Sequence, residues 1–66
     1  MDRVVEMIIL STCEGFYGYE EAILYDVQMT IEEAGSIWTE TPLMILSDLR
    51  EIEERNNICA ISHINK

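Results

Sequence analysis

The sequence predicts an α+β fold, a small antiparallel sheet with helices on one face, in the order ββααβ with βααβ as its rival. Three observations predict it. Residues 4–12 are rich in β-branched side chains, residues 45–52 place Ile45, Leu46, Leu49 and Ile52 at helical spacing, and residues 58–64 again have strand composition. No repeat, linker or low-complexity tract divides the chain, so residues 1–66 read as a single compact acidic domain.

In the first strand, strict alternation puts Val4, Glu6, Ile8 and Leu10 on one face and Val5, Met7 and Ile9 on the other. Residues 13–18 follow, and Gly15 and Gly18 supply the conformational freedom for the chain to turn back there. The stretch 19–29 supports two readings. With period two, Ile23, Tyr25, Val27 and Met29 share a face and form a second strand in a hairpin with the first. With helical spacing, Ile23, Val27, Ile31, Ala34 and Trp38 form a stripe, with Glu20 and Glu21 in a favourable first turn. The strand is preferred because Thr30-Ile31-Glu32-Glu33 has the form of a capping box, which starts a helix at Thr30.

That first helix runs from Ile31 to about Trp38 and places Trp38 in the core. A second starts at Pro42, with Thr41 as cap, and carries Arg50–Glu54 and Glu51–Arg55 pairs on its exposed side. Asn56-Asn57 ends it, and the last strand is free to pair with the first.

The balance of 4 Lys+Arg against 13 Asp+Glu gives a formal charge of −9, which disfavours direct binding to nucleic acid or anionic lipid. An apolar fraction of 48% is too high for a disordered acidic tail. No apolar run is long enough for a membrane span or a signal-peptide core, so the expected location is the cytoplasm. A chain of 66 residues has little room for a deep substrate cleft, and a binding role is the default.

Two cysteines, Cys13 and Cys59, are too few for a disulfide scaffold. One bridge is open to them, and two buried thiols are the preferred reading. With His63 they are the only soft-ligand group, and their spacing does not make a zinc site, so neither metal nor cofactor is expected. Cys13 or Ser11 with His63 as base and Glu14 as orienter lacks any nucleophile signature. The adjacent pairs Glu20-Glu21, Glu32-Glu33 and Glu53-Glu54 diverge in strand or helix and do not form a catalytic dyad. No enzyme activity is expected.

The carboxylates read better as a surface. Asp48, Glu51 and Glu54 follow the second helix, Glu32 and Glu33 the first with Glu40 at its exit, and Glu14, Glu20 and Glu21 the loop region. A solvated exterior that keeps a small protein soluble and monomeric accounts for them, and so does a basic partner surface. Phe16, Tyr17 and Tyr19 lie between Glu14 and Glu20, either as anchors with an acidic rim or as groups folded over the end of the core.

In size and acidity the chain resembles small phage-encoded inhibitors of host machinery: anti-CRISPR, anti-restriction and antitoxin-like proteins. The resemblance is one of whole-chain character and implies a non-catalytic protein that occupies the basic surface of a larger protein or ribonucleoprotein complex, as some of that class do by mimicking nucleic acid. The residues expected to make that contact are Glu14, Phe16, Tyr17, Tyr19, Glu20, Glu21, Glu32, Glu33, Asp48, Glu51 and Glu54. The alternative is a structural or accessory subunit that self-associates or completes an assembly by sheet-edge pairing; the chain itself is expected as monomer or homodimer.

Overall fold

A computed structural model describes residues 2–63. Two long strands, β1 (Arg3–Tyr17) and β2 (Glu20–Glu33), form an antiparallel hairpin that is the spine of the molecule. A short strand β3 (Ser36–Glu40) pairs antiparallel with the end of β2, and β4 (Leu43–Met44) pairs with Tyr25 and Asp26 further along the same edge. The helix α1 (Leu46–Asn56) then crosses the sheet, and β5 (Ile61–Ser62) pairs with Ile8 and Ile9 on the far side of β1. The fold is α+β, with sheet order β3-β2-β1-β5 and one helix packed against it.

The sheet is mixed, not wholly antiparallel, because β5 runs parallel to β1. A parallel partner needs a crossover connection, and α1 supplies it by carrying the chain from the β2 edge to the β1 edge.

The strand reading of residues 19–29 holds: Val27 is fully buried and Tyr25 is half-buried against the core. The helix from Ile31 to Trp38 does not form. Thr30 to Glu33 finish β2, and Ala34-Gly35 make a two-residue turn into β3. Both turn residues have positive φ, 52° and 86°, the pattern of a tight hairpin turn that matches strand twist. Extending the sheet buries Ile31 and lays Trp38 opposite it, so Trp38 reaches the core from a strand; these long-range contacts outweigh the local capping pattern.

The second helix forms, four residues later than its Pro42 start. Pro42 O accepts a hydrogen bond from Val27 N at 3.1 Å and Met44 enters the core, so residues 42–44 satisfy the β2 edge before the helix begins. Thr41 caps nothing; Ile45 is the N-cap and makes no side-chain cap bond, while Asp48 in the first turn meets the helix dipole. Asn57 ends the helix in the left-handed region at φ 56°, as the Asn-Asn pair predicts. On its surface Glu51 pairs with Arg55, whereas Arg50 pairs with Glu53 at 3.0 Å instead of Glu54.

Strict alternation also fails in β1. Register shifts between Val4 and Glu6 and between Ile9 and Ser11 make Val5 and Leu10 bulge residues, which brings Val4, Met7 and Ile9 onto one face. With Val27, Met29, Ile31, Met44 and Leu49 they build the core under α1. Asn56 pins the helix end to the first strand: Val4 N donates to its Oδ1 and its Nδ2 donates to Ile52 O, both at 2.9 Å.

Candidate functional site

The turn expected within residues 13–18 comes later. Strand β1 continues through Gly15 to Tyr17, and Gly18-Tyr19 alone make the loop, with Gly18 at φ 69°. Gly15 does not turn the chain: a Cβ there would lie 2.8 Å from Leu24 Cδ1 on the same face, a contact that a shift of the flexible leucine side chain relieves. The hairpin therefore runs on past its neighbours. Beyond Ile9 on β1 and Tyr25 on β2 no flanking strand pairs with it among the described residues, and residues 13–24 form a two-stranded arm.

The arm sorts the predicted residues by face. Glu14 lies opposite Ile23 and Phe16 opposite Glu21, all on the face that α1 covers nearer the helix. Tyr17 and Glu20 pair on the other face, beside Cys13 and Leu24, and Tyr19 is fully exposed at the tip. Phe16 is 67% exposed, so it does not fold over the core, and neither tyrosine caps the sheet from within. A groove of about 470 Å³ is bounded by Glu14, Phe16, Glu21 and Ile23, with Gly15 and Ala22 as its floor. Ile23 is the member that sequence reasoning missed as a site residue. The Gly18-Tyr19 loop is its signal, since a two-residue turn there puts Ile23 across from Glu14.

The other predicted carboxylates lie elsewhere. Glu32 and Glu33 belong to β2 at the end away from the arm, and Glu40 ends β3; none is helical. Glu32 accepts a hydrogen bond from Arg3 Nε at 2.9 Å. The pKa of Glu33 is raised by a hydrogen bond with Asp2, by the like charge of that group, and by burial. Asp48, Glu51 and Glu54 lie along α1. The structure thus brings Glu14, Phe16 and Glu21 together and leaves the rest as separate patches.

Residues 4–49 hold nine carboxylates (Glu6, Glu14, Glu20, Glu21, Asp26, Glu32, Glu33, Glu40 and Asp48) and no Lys or Arg. Three of the chain's four cations, Arg3, Arg50 and Arg55, are ion-paired to Glu32, Glu53 and Glu51. Glu53 is structural: Ala60 N donates to it at 2.7 Å, and that bond, followed by Arg50, holds its carboxyl below the ordinary range.

Both cysteines are free thiols and exposed, which corrects the expectation of buried ones: Cys13 lies on the uncovered arm and Cys59 in the connection after α1. Backbone N–H of His63 donates to Ile9 O at 2.9 Å, four residues short of Cys13 along β1. Among the described residues no group of three or more His, Cys, Asp or Glu side chains is placed to hold a metal ion, and no helix is long and apolar enough to cross a membrane. The last predicted strand shortens to Ile61–Ser62, and Ile64 lies outside the described residues. The chain matches no protein-family model, and no curated protein or solved structure is significantly similar to it.

Proposed function

We propose that this chain is a non-enzymatic acidic binding protein that inhibits a host nucleic-acid-binding or nuclease complex, in the anti-CRISPR-like or anti-restriction-like manner, by occupying its basic surface in the host cytoplasm. The observation that carries the reading is the distribution of charge: carboxylates on every long element, and no Lys or Arg from residue 4 to residue 49. Such a surface self-repels, and a partner lined with Lys and Arg relieves that repulsion and steers the encounter. The uncovered arm adds apolar groups that a purely solvating acidic coat does not require.

The test is an affinity pull-down from bacterial lysate with the intact chain at low and high salt, followed by assay of any recovered nuclease with the chain added back. Retention of a nucleic-acid-binding complex that elutes as salt rises, together with loss of its activity, supports inhibition. A retained complex whose activity is unaffected sinks it. Glu20→Lys with Glu21→Lys is expected to slow association, and an association rate indifferent to ionic strength argues against steering.

The second reading, a subunit that pairs by its sheet edges, is favoured by the outer edge of β3 and by both edges of the arm, which no described strand occupies. A homodimer in sedimentation equilibrium that persists at all salt concentrations would favour it.

A further inference from the structure

We infer that the groove between Phe16 and Ile23 on the arm receives a lysine or arginine side chain of a basic protein partner. This rests on the reading that the partner surface is basic, and it identifies where the chain touches it. The groove opens on the face opposite Leu24, because the hairpin register places Glu14, Phe16, Glu21 and Ile23 together there. Its walls are apolar: Phe16 is 67% and Ile23 49% exposed, and among the described residues no element covers them. Glu14 and Glu21 lie diagonally across it, each beside the other strand's apolar wall, and neither is ion-paired among the described residues. A long cationic side chain matches both features. Its aliphatic stem packs on Ile23 and Phe16, its head meets the ring face, and the two carboxylates accept its hydrogen bonds.

The same features exclude other occupants. A second copy brings a −9 chain onto a −9 chain, and three of its four cations, Arg3, Arg50 and Arg55, are already paired within their own chain. Nucleic acid sets phosphates against Glu14 and Glu21. A purely apolar partner desolvates both carboxylates without compensation.

The inference is tested by titrating the full ¹⁵N-labelled chain at low salt with an oligo-arginine peptide, with oligo-glutamate as control. The largest shifts are expected on the amides of Gly15, Phe16, Ala22 and Ile23. Phe16→Ala and the pair Glu14→Gln with Glu21→Gln are each expected to weaken binding about three- to tenfold, and Glu51→Gln with Glu54→Gln on α1 to change it less than about twofold. These positions are exposed, and unchanged resonances of Met7 and Leu49 verify the fold of each variant. Equal response of arm and helix, or unchanged binding by Phe16→Ala, overturns the groove assignment and leaves the basic-partner reading standing. No response to oligo-arginine overturns both. Concentration-dependent shifts of the arm in the chain alone assign the groove to a second copy and overturn the inference.

Discussion

In the part of the hairpin nearest β3 and β5, Met7, Val27, Met29 and Ile31 lie buried beneath α1; nearer the turn, Ile23 and Phe16 continue the same face, and no described element lies above them. The two regions share one strand pair, and along β2 the alternation runs unbroken from Ile23 through Val27 and Met29 to Ile31. What differs is cover. A side chain under the helix contributes to folding by leaving water, whereas the same kind of side chain on the arm keeps its apolar surface available to another molecule. The comparison teaches that periodicity marks which face is apolar, and only the length of the covering element marks where that face is buried.

The sharpest way to break this division is at the centre of the covered half. Leu49 is 1% exposed and meets the sheet from α1, so Leu49→Ala is expected to cost about 2–5 kcal/mol in urea denaturation. For a domain of this size that approaches the whole stability, so the chain should be largely unfolded at moderate temperature. A loss under about 1 kcal/mol would mean that the helix does not cover the sheet as described.

Asn56→Ala removes both the acceptor of Val4 N and the donor to Ile52 O, and is expected to cost about 1–3 kcal/mol because the strand amide is left without its partner. Fraying of α1 from β1 by hydrogen exchange should accompany the loss.

Glu53 sharpens the comparison through pH. Its carboxyl is held below its ordinary value by Ala60 N first and Arg50 second, so the folded state binds a proton there less readily than the unfolded chain. The stabilisation is present above the unfolded value, near the ordinary 4.5, and is lost as pH falls through the lower folded value. An acid titration followed by circular dichroism should therefore show a shallower acid loss in Glu53→Gln than in the parent, at lower stability near neutrality. Identical acid limbs would count against the Ala60 contact.

A smaller effect of opposite sign is expected at the β2–β3 turn. Ala34 holds φ 52°, a region its Cβ disfavours, so Ala34→Asn should stabilise the fold by about 0.5–1 kcal/mol, read as a rise in melting temperature. The smallest effects belong to the arm. Phe16→Ala and Ile23→Ala are expected to shift stability by less than about 0.5 kcal/mol, and a cost matching that of Leu49→Ala would abolish the distinction between the two regions.

By itself the sequence determined the α+β class, the first strand, the helix through Leu49 and Ile52 with its Asn57 stop, and the acidity, because each depends on side-chain chemistry or on contacts within a few residues; it left residues 19–29 open between strand and helix, and the pairing with β1 decided for the strand. The Thr30–Glu33 capping pattern misled because its local preference is worth about 1 kcal/mol, less than what Ile31 and Trp38 gain in the sheet. The bulges at Val5 and Leu10, the exposure of Cys13 and Cys59, and the parallel return of β5 were likewise decided by tertiary structure. For the candidate site, the aromatic and acidic members were legible as residue types. Their division between two faces, and the entry of Ile23, waited on the register of the hairpin, because a one-residue change in register moves every side chain to the opposite face.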